Sequence, residues 1–340
     1  MQILIISAPF FGYQESIGNA FKALGHNVHI ETYDEPIHPF KGILKWKRKF
    51  ATESQREKLY KKSCDKYNEY IKRVFDEISP DFIFIYNGTI LYDDTLDYFR
   101  NNKAKVAIWM YDSILRPDRK QCISHIDHCD AFFCFEKKDV EYYAKEGKTA
   151  YFLPLANDTN VYYPQNKEKD IDILFVGTIY TSVHRIKLLE KVAQTFPDKK
   201  ILFYGYYKPF FKNPIKCIFR RYRNIFLNKN ITPSEVNDLF ARSKVALNIH
   251  HAQTFDGANQ RLFETCGAKC YQVCDTNPFI SSLFPNGEIG LYHNETEMID
   301  LLKKGLETNH EKEIEAAYDI VIKNHTFNIR AKQILEKIGL

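Results

Sequence analysis

Asp256, Gly257, Ala258, Asn259, Arg261 and Glu264 are the residues of this 340-residue chain whose types and spacing best suit a charged ligand. They lie in VALNIHHAQTFDGANQRLFETCGAKCYQVCD, residues 245–275. Val245 to Ile249 predicts a buried strand, followed by a glycine loop, a helix ending near Gly267 and another strand from Cys270. A strand that enters a helix through a glycine turn makes an anion site. Unpaired N–H groups and the helix dipole both point outward there. Asn259 and Arg261 add side-chain donors. The spacing from Asp256 to Glu264 corresponds to about 12 Å if helical, at roughly 1.5 Å per residue. The two carboxylates could therefore hold hydroxyl groups at either end of a ligand with phosphate in its middle. A nucleotide-sugar has that plan.

The elements that must position these residues alternate in type along the chain. Gln2 to Ser7 reads as a strand, Glu15 to Leu24 as an amphipathic helix stopped by Gly25, and Val28 to Tyr33 as a second strand. Further strands are predicted at Phe82 to Tyr86, Val106 to Tyr111, Ala131 to Phe135 and Tyr151 to Leu153. Helices fall between them, the longest from Glu53 to Ile78. After a proline-containing, aperiodic stretch at residues 154–169 the pattern restarts with Asp172 to Val176. These features predict an α/β chain with a Rossmann-like domain at 1–153, a linker at 154–169 and a second such domain at 170–318.

Open α/β sheets bind ligands at the carboxyl ends of their strands. In the first domain that criterion selects Gly12, Asn87 and Asp112, the last as the best candidate for a general base. A turn acid is the alternative reading of Asp112. In the second it selects Gly177 and Thr178, Arg185 a turn or so into the next helix, Gly205 and Asn248. Gly12 lacks the other glycines of a dinucleotide fingerprint.

Composition narrows the class. An apolar fraction of 44% with 15% aromatics belongs to a folded globular protein. Residues 1–8 lack the basic start and cleavage site of a signal peptide, and no apolar run is long enough to span a bilayer. Eight cysteines without such a signal point to free thiols and a cytoplasmic protein. Cys122, His125, His128 and Cys129 have a metal-like spacing but no second ligand pair, so no metal is expected. No acidic residue occurs from Lys199 to Ser234, where KPFFKNPIKCIFRRYRNIF mixes bases and aromatics, and Lys45 to Phe50 is a second basic cluster. Both suit an anionic membrane surface, a phosphate-rich acceptor or nucleic acid; no nucleic-acid motif accompanies them, and peripheral attachment to the inner face of a membrane is expected.

The chain resembles glycosyltransferases of the GT-B fold, in the group-1-like branch that includes CgeB-type spore maturation proteins. LPLANDTNVYYP, DILFVGTIY with HRIKLLEKV, SKVALNIHH, DGANQRLFETCGA and HTFNIRAKQIL carry the resemblance, in that order, over most of residues 151–335. It implies two Rossmann-like domains facing a cleft, with a C-terminal helix, 319–340, crossing back to the first domain. It also implies transfer of a sugar from a nucleoside-diphosphate sugar to a saccharide, lipid-linked glycan or protein, in cell-surface glycan synthesis, with no cofactor and no metal. By the same resemblance Glu264 binds ribose hydroxyls and Asp256 the transferred sugar. Gly257, Ala258, Asn259 and Arg261 would face the diphosphate. Usual members carry Glu where this chain has Asp256.

Other readings use the same residues. Asp256 as a helix cap and Arg261 as an i, i+3 ion partner of Glu264 need no ligand. A nucleotide-sugar epimerase shares the fold, and a silent binding module could keep the nucleotide cleft or only the basic surface.

Overall fold

The computed structural model describes residues 1–9, 12–33, 51–179, 183–205, 221–229, 231–251 and 254–340. The Lys45 to Phe50 cluster and most of the basic stretch after Tyr204 lie outside them. The chain divides into two units, Met1–Leu153 with Phe327–Leu340, and Pro154–Thr326.

The first unit is built on strands β1 (Gln2–Ser7), β2 (Asn27–Thr32), β3 (Phe82–Tyr86), β4 (Lys105–Met110), β5 (Ala131–Cys134) and β6 (Tyr151–Phe152). They pair in the order β2-β1-β3-β4-β5-β6, every pair parallel. Helices α1 (Tyr13–Ala23), α2 (Glu53–Ile78), α3 (Asp93–Asn101) and α4 (Lys137–Lys145) connect them. β3 is buried at every position, as expected of a strand covered on both faces. α2 begins with a capping box, Thr52 and Gln55 bonding each other's backbone N–H, and buries Tyr67, Ile71 and Phe75. The direction of strand addition reverses between β1 and β3, which places the switch point beside Gly12 and Asn87.

The second unit holds β7 (Ile171–Val176), β8 (Ile201–Tyr204), β9 (Phe226–Leu227), β10 (Ser243–Asn248), β11 (Tyr271–Asp275) and β12 (Gly290–Tyr292). Their order is β12-β11-β10-β7-β8-β9, again parallel throughout. Renumbered from β7 this is the 3-2-1-4-5-6 order of a dinucleotide-type sheet, with its switch point between β7 and β10. The helices are α5 (Val183–Thr195), α6 (Pro233–Arg242), α7 (Gln260–Gly267), α8 (Pro278–Leu283), α9 (Glu295–Glu307) and α10 (Glu311–Asn324). The last helix, α11 (Phe327–Ile338), belongs to the first unit.

Two boundaries differ from expectation. Residues 154–169 are part of the second unit rather than a free connection. The Asn157 N–H donates to the His325 carbonyl at 2.8 Å, and Tyr162 is buried against Phe240. The expected return segment 319–340 divides at Thr326: α10 stays in the second unit, and only α11 packs with the first. There Phe327 meets Trp109, ring centroids 6.4 Å apart.

Candidate nucleotide site at the switch point of the second unit

Four carboxyl strand ends frame the site. β7 ends in Gly177 and the exposed Thr178, β8 in Gly205, β10 in Asn248 to His250, and β11 in Asp275. The Gly177 N–H donates to the Tyr204 carbonyl at 3.0 Å. A Cβ added to Gly205 would overlap the Gly177 carbonyl, so glycine here permits the close approach of two strand ends. Gly205 is thereby explained by packing.

Arg185, selected near the start of the helix after β7, is buried, 6% exposed. Its guanidinium donates to the carbonyls of Thr178 at 2.5 Å and Ile249 at 2.6 Å. It therefore clamps the ends of β7 and β10 across the switch point. Burial lowers its pKa, partly offset by the nearby Asp275 carboxylate.

The loop before α7 is held from both sides. Asn259 is the N-cap of α7, its side chain accepting from the Leu262 N–H at 3.1 Å. Asn248 and Asn259 exchange amide hydrogen bonds of 3.1 and 2.7 Å. On the other side Asn277 donates to the Gly257 carbonyl at 2.8 Å. Gly257 and Ala258 are buried in the loop between these ties. Asp256 precedes the cap by three residues and lies on the loop, so neither the capping role nor a continuous helix from Asp256 to Glu264 is realised.

Glu264 is fully buried. Arg261 donates to one of its oxygens and also to the Tyr162 hydroxyl at 3.2 Å, and Tyr162 contacts Glu264 as well. The i, i+3 ion pair foreseen as the alternative is thus present. Burial raises the Glu264 pKa, while Arg261 and Tyr162 oppose that shift. Its second oxygen, Oε1, has no hydrogen-bond partner among the described residues. Such an atom in a folded chain asks for a ligand or water.

His250, Cys274 and Asp275 place their donor atoms within 4.8 Å of one another. The His250 Nδ1 to Asp275 distance is 2.7 Å, a hydrogen bond that an ion would have to break. Cys274 is a buried thiol pushed well above its usual pKa by burial, a poor ligand unless deprotonated.

In the first unit Asp112 does not stand free as a base. Arg116 donates to one carboxylate oxygen at 2.8 Å, and Arg119 to the other at 2.8 Å. Asn87 also reaches Asp112, at 3.2 Å, and accepts from the Tyr111 N–H at 3.0 Å. Asn87 takes a left-handed backbone, φ 57°, as does Gly12, φ 80°, which precedes α1. Asp112 therefore organises the 112–119 loop, close to the turn-acid alternative. Of the metal-like quartet, Cys122 and Cys129 are buried free thiols, and His128 pairs with Asp97 at 2.8 Å.

Tyr162, Asp275 and Asn277 were not among the residues selected from the sequence. Asn277 followed by Pro278 was a usable signal, a cap and an N1 proline that start α8. Tyr162 gave none, because its partners are 99 and 102 residues away.

Comparison with known proteins agrees with this frame. A family model described as glycosyl transferase-like matches residues 185–336, which enclose most of the site. No curated protein sequence matches the chain. Sucrose-phosphate synthase from Thermosynechococcus elongatus superposes with a TM-score of 0.71 at 12% identity, over 100% of this chain and 99% of that one. An E. coli trehalose-6-phosphate protein bound with UDP-2-fluoro glucose gives 0.65 at 11% identity, over 99% of each. A putative UDP-N-acetylglucosamine 2-epimerase from Listeria monocytogenes gives 0.61 at 12% identity, over 99% and 95%. Two parallel six-stranded sheets, each with its helices, make this the two-Rossmann-domain fold of the GT-B glycosyltransferases.

Proposed function

We propose that the chain is a glycosyltransferase that takes a sugar from a nucleoside-diphosphate sugar and passes it to a saccharide, lipid-linked glycan or protein acceptor. One observation carries the reading. The glycosyl transferase-like match covers β10, the capped α7 and the buried Glu264, which form one side of the β7–β10 switch point. A switch point is where open parallel sheets take nucleotides. Glu264 is the ribose ligand in this proposal, with Oε1 completed by a hydroxyl. Arg261 then leaves Glu264 for the diphosphate, where charge develops as the sugar departs. Asp256, on the loop, faces the transferred sugar. Gly177, Thr178 and the 257–259 backbone line the phosphates.

The motifs favour the group-1-like, CgeB-type branch and a role in cell-surface polysaccharide synthesis, without a metal or other cofactor. No described helix is long and apolar enough to cross a membrane. Cytoplasmic placement with peripheral attachment through the basic stretches belongs to the same proposal. Flotation with anionic vesicles tests it; protein left wholly in the soluble fraction rejects attachment.

An epimerase is the second reading, favoured by the likeness to the Listeria protein. A panel of uridine, guanosine and thymidine diphosphate sugars separates the two. Transfer releases nucleoside diphosphate, and Glu264→Gln abolishes that release while the protein stays folded. Interconversion of the sugar without release supports the epimerase. No turnover and no thermal shift with any nucleotide would sink both.

A further inference from the structure

His250 is the second residue beyond the carboxyl end of β10, at the switch point. Its environment is more specific than a strand terminus requires. Its backbone N–H donates to both oxygens of Asp275, 2.9 Å each, and Nδ1 lies 2.7 Å from the same carboxylate. Asp275 ends the neighbouring strand β11, so the dyad joins two adjacent carboxyl ends. Burial alone would raise the Asp275 carboxyl, but His250 outweighs it and holds the group below its usual range. An ionised acceptor at Nδ1 fixes the proton there. The other ring nitrogen, Nε2, is buried and has no hydrogen-bond partner among the described residues. The imidazole is over nine-tenths buried.

Sequence neighbours of the dyad reach toward α7 on both sides. Asn248, two residues before His250, bonds the α7 cap Asn259. Asn277, two residues after Asp275, bonds the Gly257 carbonyl. The dyad is therefore rooted beneath the loop that delivers the α7 N-terminus, an end that favours anions. Arg185, whose charge is also felt at Asp275, adds a fixed positive group behind the strand ends.

We propose that His250 is a diphosphate-binding residue: held by Asp275 through Nδ1, it donates from Nε2 to a phosphate oxygen of the bound nucleoside diphosphate. Asp275 is its positioning residue. No covalent bond is made or broken; with Nδ1–H held by Asp275, Nε2 donates when it carries a proton as well. The inference rests on the nucleotide-sugar reading above and adds a residue to it.

Titration calorimetry with uridine, guanosine and thymidine diphosphates, beside ¹⁵N-histidine NMR of the wild type, tests it. Loss of a charge-assisted hydrogen bond weakens the preferred diphosphate by about tenfold or more in His250→Ala. His250→Gln recovers part of that loss, and Asp275→Asn weakens binding without removing it. The corresponding nucleoside loses much less. In the wild type the diphosphate shifts the Nε2 resonance. The NMR arm needs no variant, so it decides even if a substitution fails to fold. An unmoved Nε2 resonance with bound diphosphate, or folded His250 variants that bind like wild type, overturns this inference alone. Wild type that binds none of the diphosphates overturns it together with the donor reading.

Discussion

Asn248 and Asn259 face each other across the start of α7 with both amide groups engaged, at 3.1 and 2.7 Å. Asn248 also donates to Gln272 on β11 at 2.9 Å. One side chain thus ties the end of β10 to the neighbouring strand and to the cap of the helix that would receive a phosphate. Asn259 has a second duty, because the oxygen that Asn248 donates to also caps the Leu262 N–H. The site is positioned by amides as much as by glycine.

Asn259→Ala removes both the cap and the tie. The cap alone is worth about 1 kcal/mol, within a range of roughly 0.5–2. A lower urea midpoint is expected, with nucleotide affinity falling further than the stability loss explains. Asn259→Asp keeps the cap but loses the donor to Asn248. It should retain most of the stability and still bind nucleotide less well.

The Arg261–Glu264 pair gives a sharper test. Arg261→Ala leaves a fully buried carboxylate without its cation, and breaking a buried pair costs about 3–5 kcal/mol. Arg261 is partly accessible, so the lower end of that range applies. Adding Glu264→Gln to Arg261→Ala should recover much of the stability without recovering turnover. Chemical denaturation of the four proteins of the cycle gives the coupling. A double variant no more stable than Arg261→Ala would show that the charge is not what makes the single variant fragile.

Gly205→Ala is expected to be severe through packing alone. The added methyl would overlap the Gly177 carbonyl oxygen and crowd Ile179. Overpacking against backbone costs about 1–3 kcal/mol, occasionally more. A drop in melting temperature should accompany any loss of nucleotide binding. Wild-type stability with lost binding would instead make Gly205 a direct ligand contact.

These cases mark what the sequence could and could not disclose. Period and turn chemistry were local, so β1 and α2 could be placed. The glycine loop, its cap and Arg261 with Glu264 were local as well. Pairings made across the sheet were not. The burial of Arg185 follows from β10 lying beside β7, although 72 residues separate the start of one from that of the other. Asp112 looked accessible because Arg116 and Arg119 fold back on it only once the 3-10 turn at Pro117–Cys122 forms. His250 and Asp275 become partners for the same reason, as ends of adjacent strands. A residue's type suggested chemistry; strand order decided whether that chemistry was free or spent.

Asp139 provides a pH signature in the first unit. It is buried, and burial raises its carboxyl to about 6 despite hydrogen bonds from Ser113 at 2.7 Å and the Ile114 N–H at 3.1 Å. In the unfolded chain an aspartate titrates near about 3.9. Between these values the folded protein holds a proton that the unfolded chain has released. The stability contributed by the protonated form is therefore complete below about pH 4 and is lost as pH rises through about 6. Urea midpoints measured from pH 4.5 to 7 should show this decline superimposed on the other titrations. Asp139→Asn, which stays neutral, should flatten that part of the profile. Because Ser113 and Ile114 follow Asp112 directly, the same variant reports whether the 112–119 loop depends on the Asp139 charge. An unchanged slope in Asp139→Asn would mean that Asp139 is ionised in the folded protein throughout this range.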